Sequence, residues 1–185
     1  LIPLPPQLYA ERRNSRALDL SDEVELNAAV AFIAADHARA QADGASGPAA
    51  QVREPSDARR TVGAASDLDA EALLQRVDAA ADAALQWGQT AVDVRAACLE
   101  RAADLIEERM LALMSLCVRE GGKTIADAHA EVREAVDYCR YYALCARREL
   151  AQPRELLGPT GESNTLTLHP RGVFACISPW NFPLA

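Results

Sequence analysis

The sequence predicts an α/β protein that is mostly helical over its 185 residues and reaches its first strands late. Three patterns indicate this. Apolar residues recur at intervals of three and four through residues 66–150, as in helices with one buried face. The period changes to two near residue 164, and residues 173–177 form a fully apolar run. Long helices followed by strands are typical of an α/β fold of which only the first sheet elements are present.

The composition excludes several classes of protein. A net charge of −8 argues against a nucleic-acid or anionic-membrane surface on this chain. No apolar stretch approaches the ~20 residues that span a bilayer, and the first residues lack the order of a signal peptide. The five cysteines include no Cys-x-x-Cys pair, so neither a zinc site nor a disulfide framework is supported. Free thiols indicate a reducing compartment, and we expect a cytoplasmic protein.

The first 20 residues are expected to form an extended connector, because they are rich in proline and then in charge. The chain starts at Leu1 rather than Met and stops soon after an apolar run. We therefore expect a piece of a longer protein. In it, residues 1–20 connect to an upstream domain and residues 21–185 begin the next one.

The first helix is predicted to begin at Ser21, whose hydroxyl is a suitable N-cap. Asp22 and Glu23 follow it and place carboxylates at the positive end of the helix dipole. We expect this helix to extend to residue 42. Residues 44–55 are rich in Gly, Ala and Pro, which predicts a loop.

Three further helices follow from the apolar spacing. The second is expected to start at Ser66 or Asp67 and to end at residues 87–88. The third covers residues 91–119 and the fourth residues 124–150, with a glycine break at residues 121–122 between them.

Two strands are predicted after the helices. Residues 164–169 alternate in polarity, which indicates a half-buried strand. Residues 173–177 are all apolar and predict a fully buried one, ending at Ser178-Pro179 in a polar turn. In open α/β sheets, ligands bind where buried strands end in such turns.

Two other motifs carry no site. Gly122-Lys123-Thr124 resembles the end of a phosphate-binding loop, but Cys117 stands where that motif needs a glycine, and no strand precedes it. We interpret it as a helix break. Paired acids such as Asp127 and Glu131 are expected on solvated helix faces.

No histidine or cysteine is expected to be a ligand or a nucleophile. His37, His129 and His169 lack a second ligand at metal spacing, so we expect solvated or capping side chains and no metal site. All five cysteines lie among apolar residues, where they pack as small hydrophobes. Cys176 in particular is expected to be buried in its strand with a raised pKa. The cysteines are Cys98, Cys117, Cys139, Cys145 and Cys176.

Near the end of the chain, Gly172-Val173-Phe174-Ala175 is followed, after Cys176, by Ile177-Ser178-Pro179-Trp180-Asn181-Phe182-Pro183. This stretch resembles the aldehyde dehydrogenase superfamily at the entrance to its Rossmann-like, NAD-binding domain. Two upstream stretches are similar to that family as well, one at residues 120–123 and one at Arg140-Tyr141-Tyr142-Ala143. The resemblance implies that this chain is the N-terminal helical part and first strands of such a fold.

The resemblance also implies site residues. Asn181 would be catalytic, its carboxamide donating a hydrogen bond to the oxyanion of the reacting aldehyde, and one such donor is worth ~3 kcal/mol of barrier. Without the resemblance, an Asn tolerated in a tight turn is the simpler interpretation. Phe182 would line the aldehyde channel, with core packing as the competing role. The backbone that would line the nicotinamide-ribose part of NAD is that of Ile177, Ser178, Pro179 and Trp180.

The family's cysteine nucleophile and general base lie downstream of residue 185. The resemblance therefore excludes Cys176 as the nucleophile. We expect this chain alone to be inactive.

Residues 2–5, 8–9, 11–15 and 18–20 carry a second resemblance. They resemble the segment that joins the two enzymes of bacterial proline utilisation A proteins. That family implies a flavin-dependent proline dehydrogenase upstream, with FAD only there, followed by an NAD-dependent glutamate-semialdehyde (pyrroline-5-carboxylate) dehydrogenase, and a homo-oligomer at full length. Two alternatives stay open at this point: a monofunctional aldehyde dehydrogenase with another substrate, and a non-catalytic helical assembly module.

Overall fold

The computed structural model describes residues 2–42 and 50–185. A short 3-10 helix at Pro5–Gln7 opens them, and the remaining elements are helices joined to two small antiparallel hairpins. In chain order the elements are α1 Glu23–Ala42, β1 Ala50–Glu54, β2 Asp57–Ala65, α2 Ala70–Gln89, α3 Val92–Glu108, α4 Met110–Arg119, α5 Ile125–Leu150, β3 Arg154–Leu156 and β4 Asn164–Leu166.

The core lies between helices α1, α3, α4 and α5. Helix α3 packs along α5, and α4 packs against both α1 and α5. Alanines line the α3–α5 contact, where Ala96, Ala103 and Ala143 are fully buried and allow close approach of the helices. A second buried cluster lies between α4 and α5 and consists of Met110, Met114, Cys117, Ala128 and Val132. We call these five residues the α4–α5 core.

The predicted helices are present, with altered boundaries. Helix α2 starts at Ala70, later than predicted, and Asp69 caps it by accepting a hydrogen bond from the Ala72 N–H at 2.7 Å. The predicted third helix is two helices that meet at Arg109, whose φ of −100° departs from helical geometry. Thr124 caps α5 by accepting from the Asp127 N–H at 3.1 Å.

The predicted loop at residues 44–55 is wrong in the part that the structure describes, and residues 43–49 lie outside it. Residues 50–54 form β1, which pairs with β2 and closes the hairpin through Pro55 and Ser56. The two strands expose most of their side chains, so they lack the apolar alternation that reveals a strand in a sequence.

The predicted buried strand at residues 173–177 is not formed. Phe174 is 72% exposed and Ile177 92% exposed, and no part of the described chain pairs with this segment. A strand requires hydrogen-bond partners from another strand, so an apolar run without one stays irregular. Cys176 is consequently exposed, which corrects the expectation of a buried thiol. The strand predicted at residues 164–169 is shorter, as β4, and pairs with β3.

None of the helices among the described residues is long and apolar enough to cross a bilayer.

Candidate active site

A tight turn presents Asn181 at the surface. The Phe182 N–H donates a hydrogen bond to the Pro179 carbonyl at 3.0 Å, which makes Trp180 and Asn181 the two central residues. No described residue other than glycine has a positive φ, so Asn181 has the negative φ of the third position of a type I turn. Its side chain is exposed and takes part in none of the hydrogen bonds found in the described part of the chain.

The turn is attached to the helical body by the residues that follow it. Leu184 packs against the α4–α5 core. Its backbone N–H donates to Glu131 Oε1 at 2.7 Å, and the Ala185 N–H donates to the same oxygen at 3.3 Å. The side chain of Glu131 is 0% exposed. A buried carboxylate on α5 therefore fixes the chain just beyond Asn181.

Lys123 completes this attachment. Its ammonium lies 2.5 Å from Glu131 Oε2 and 4.4 Å from the centroid of the Phe182 ring. The Lys123 N–H donates to the Cys117 carbonyl at 3.3 Å, at the end of α4. Gly122 has φ of +66°, a left-handed conformation that favours glycine, and it redirects the chain so that Lys123 points back toward α5.

The charge distribution keeps Glu131 ionised. Burial raises the pKa of this carboxyl. The ion pair with Lys123 and the two backbone N–H groups lower the pKa by more than burial raises it, so the pKa lies below its ordinary value. Burial and the negative charge of Glu131 raise the pKa of Cys117 to about 11. The thiol of Cys117 is thus an inert core group, as expected from the sequence.

An apolar cleft lies beneath the turn. It has a volume of about 440 Å³ and is bounded on one side by α4 and on the other by Trp180, Pro183 and Leu184. The α4 side contributes Leu113, Leu116 and the buried Cys117. The turn is therefore held at its C-terminal end and spans open space on its inner face.

Glu131 was expected to be solvated, and the structure corrects this. The signal was present in the sequence: residue 131 lies among Ala128, Val132 and Ala135, at the helical spacing of the buried stripe. An acid at such a position is buried and needs a partner. Lys123, interpreted only as part of a helix break, is that partner.

The histidines and cysteines also differ in part from expectation. His129 is buried rather than solvated, and its Nε2 accepts a hydrogen bond from the Leu18 N–H at 3.0 Å. His169 is exposed, and the side chain of His37 lies outside the described residues. Cys98 is exposed rather than packed in the core. Within the described ranges, no cluster of three or more His, Cys, Asp or Glu side chains is arranged to hold a metal ion.

Residues 42–185 match the aldehyde dehydrogenase family. The chain therefore belongs to that family, which confirms the resemblance and the predicted fold class. Across its whole length it is 40% identical to the bifunctional protein PutA of Salmonella typhimurium, of which it covers 14%. It is also 37% identical over 131 residues to 1-pyrroline-5-carboxylate dehydrogenase 2 of Bacillus subtilis, covering 71% of this chain and 25% of that protein.

Solved structures agree with these matches. A crystal structure of proline utilization A (PutA) from Bradyrhizobium japonicum, in a mutant form, superposes on the whole chain with a TM-score of 0.79 at 39% identity. The chain covers 16% of that protein. A 1-pyrroline-5-carboxylate dehydrogenase from Thermus thermophilus superposes on 93% of the chain with the same TM-score, at 26% identity, and 35% of its own length is covered.

Proposed function

We propose that this chain is part of an NAD-dependent glutamate-semialdehyde (pyrroline-5-carboxylate) dehydrogenase that forms glutamate in proline catabolism. The observation that carries the proposal is the Pro179–Phe182 turn, which exposes the Asn181 carboxamide while Glu131 and Leu184 hold the chain beside it. Relatives that bear this activity in their names match the chain.

We further propose that the whole protein is bifunctional, with residues 1–20 leading from an upstream proline dehydrogenase that holds FAD. The extent of the matches supports this. PutA of Salmonella typhimurium matches the entire chain, whereas the family match begins at residue 42 and the Bacillus subtilis dehydrogenase matches 71% of the chain. A cytoplasmic homo-oligomer belongs to the same proposal.

Asn181 has the chemistry of an oxyanion donor. When a thiolate adds to an aldehyde carbonyl, the C–S bond forms as the C=O π electrons move onto oxygen. The carboxamide NH₂ of Asn181 donates to that oxygen and stabilises its charge. The turn fixes the backbone at Asn181, and the carboxamide has no hydrogen-bond partner among the described residues, so its NH₂ is available to the oxyanion.

The neighbouring residues fit the other two roles. Ile177, Ser178 and Trp180 use no backbone group in the turn and loop hydrogen bonds of the described chain, so their peptides are available to line a cofactor. When bound, NAD supplies the hydride acceptor. Phe182 is partly exposed beside Lys123, where its ring is suited to form a wall of the aldehyde channel.

The test is to express the full-length protein and to measure NADH formation with glutamate semialdehyde. We expect turnover in the wild type and a kcat lower by about 10²–10³-fold in Asn181→Ala, as for the loss of one oxyanion donor. Asn27→Ala, on the exposed side of α1, is the matched control and should retain full kcat. A wild type without activity on this aldehyde, or an Asn181→Ala enzyme within threefold of it, would overturn the proposal.

A further inference from the structure

We propose that Glu131 is a positioning residue for the reaction: with Lys123, it holds the Asn181 turn in its productive place. The inference rests on the proposed function, because it concerns the same turn. No comparison assigns a role to Glu131, and its residue type alone suggests a solvated surface acid.

The first argument is the direction of its bonds. Glu131 Oε1 accepts from two successive backbone N–H groups, those of Leu184 and Ala185, at 2.7 and 3.3 Å. Bonds to backbone set the position of the chain itself, whereas packing of the Leu184 side chain leaves the backbone freer to shift. The carboxylate thus defines where the segment after the turn lies.

The second argument is that the turn is held by the residues on its C-terminal side. Only Phe182 and Pro183 separate Asn181 from Leu184, and the ring of Pro183 restricts φ. The Lys123 ammonium contacts the Phe182 ring and also pairs with Glu131. On the other side, residues 173–178 lie in no helix or strand and are exposed. Displacement of Glu131 is therefore expected to move Asn181.

The third argument is the environment of the carboxylate. A fully buried ionised group is unfavourable unless it is paired and hydrogen-bonded, and an apolar residue would fill this position with less penalty. The pair of Glu131 and Lys123 therefore suits a site in which chain position is needed. A misplacement of about 1 Å at a reacting group costs on the order of 10²-fold in rate.

The experiment is a double-mutant cycle in the full-length enzyme, with Glu131→Gln, Asn181→Ala and the combined variant. The Gln side chain keeps one acceptor, but its NH₂ faces the Lys123 ammonium, so the pair is lost. We expect kcat to fall about 10-fold in Glu131→Gln, with KM for NAD changed less than about twofold. In the Asn181→Ala background the same change should lower kcat less than about twofold, because the group that Glu131 positions is absent.

A second readout follows the attachment without relying on activity. Amide hydrogen exchange of Leu184 and Ala185 should be at least about 10-fold faster in Glu131→Gln than in the wild type. Glu108→Gln is the matched control: Glu108 is exposed on α3 and pairs with Arg101, so both kcat and these exchange rates should stay at wild-type values.

A further variant serves as a control for loss of folding. If Glu131→Gln does not fold, Lys123→Met/Glu131→Gln removes both buried charges together, which proteins often tolerate. The same loss of kcat and the same faster exchange are expected from it, again only while Asn181 is present.

Three results would overturn the inference: unchanged kcat in Glu131→Gln, losses that multiply fully with Asn181→Ala, or unchanged exchange at Leu184. Each of these is compatible with an active enzyme that depends on Asn181. Failure of the proposed function is distinct, since it appears as an inactive wild type or an unimpaired Asn181→Ala enzyme, and the inference then fails with it.

Discussion

His129 joins α5 to the connector through a neutral imidazole. Its Nε2 accepts the Leu18 N–H at 3.0 Å, so that nitrogen carries no proton in the folded chain. Burial lowers the pKa of His129, and the nearby Arg133 lowers it further. The unfolded chain binds a proton near pH 6.5, but the folded chain resists it, so this contribution to stability is present above that pH and is lost as the pH falls.

We therefore expect acidification to weaken the fold through His129. Between pH 7 and 5.5 the free energy of unfolding should fall by up to about 1 kcal/mol from this group. Urea unfolding followed by circular dichroism measures it, and His129→Asn should remove that part of the pH dependence. His169→Asn, at an exposed histidine, should leave the dependence in place. Equal pH slopes in the wild type and His129→Asn would refute the assignment.

At the residue scale, the sequence indicates the environment of Cys117 but not the partner of Glu131. An isolated cysteine in an apolar helix stripe has one favourable environment, the core, and Cys117 lies there. An acid in such a stripe is buried only if a cation arrives from elsewhere in the chain. Lys123 does so because Gly122 turns the backbone toward α5. That proximity depends on tertiary structure, which residue spacing does not contain.

Among the elements, α5 holds the connector along one of its faces. The connector and α5 run antiparallel. Asn14 contacts Arg140, Ser15 contacts Asp137 and Arg133, and Leu18 contacts His129. The helix residues in this series are spaced by three or four, so they form one stripe. The proline-rich and charged connector is thus bound along the surface of α5.

Arg140 is expected to contribute most to the attachment of the connector. It is 6% exposed and donates to Asp104 at 2.9 Å, to Glu107 at 3.1 Å and to the Asn14 carbonyl at 3.1 Å. Arg140→Ala removes the buried guanidinium from all three acceptors and leaves Asp104 and Glu107 with Arg13, a more exposed partner. We expect the free energy of unfolding to fall by about 2–3 kcal/mol.

Arg147→Ala is the control on the same helix. Arg147 pairs with Glu100 at 2.6 Å but is 33% exposed, so its loss should amount to about 0.2–1 kcal/mol. Urea unfolding of the two variants gives the comparison. Equal losses would mean that burial of Arg140 adds nothing to its ion pairs.

Element prediction succeeded where the signal is local. Helices α2 to α5 have apolar stripes that any window of the sequence shows, whereas the β1–β2 hairpin has few buried side chains and was missed. The run at residues 173–177 has strand composition, but a strand is completed only by its neighbours. In the described chain no neighbour pairs with it.

For the whole molecule, this run leaves a large apolar segment in water. Val173, Phe174 and Ile177 are all exposed, and their backbone groups lack strand partners. Such segments pair with other chains. We expect the 185-residue chain to self-associate increasingly between about 5 and 100 μM, as measured by light scattering after size exclusion, with hydrophobic contact as the cause.

Phe174→Asp/Ile177→Lys should restore a monomer. Leu157→Asp, at a fully exposed leucine outside the segment, should not. A wild-type chain that is monomeric across this range, or variants that behave alike, would contradict the assignment of self-association to residues 173–177.

The candidate site was predicted in part. The motif at residues 177–183 led to Asn181, and the structure adds the turn that presents it and the residues that support that turn. Motif residues are recognisable in order along the chain. Their support comes from α5, some fifty residues earlier, and becomes visible only in three dimensions.

Helix α5 also fixes the positions of the two ends of the described chain relative to each other. Glu131 faces the turn, while Asp137 and Arg140 face the connector. Each residue rotates a helix by about 100°, so inserting or deleting one residue between Glu131 and Asp137 would swing one set of anchors away from the other. Seven inserted residues would nearly restore the facing but lengthen the helix by about 10 Å. The direction in which the connector departs is thus bound to the position of Asn181, and natural length variation should fall outside this part of α5.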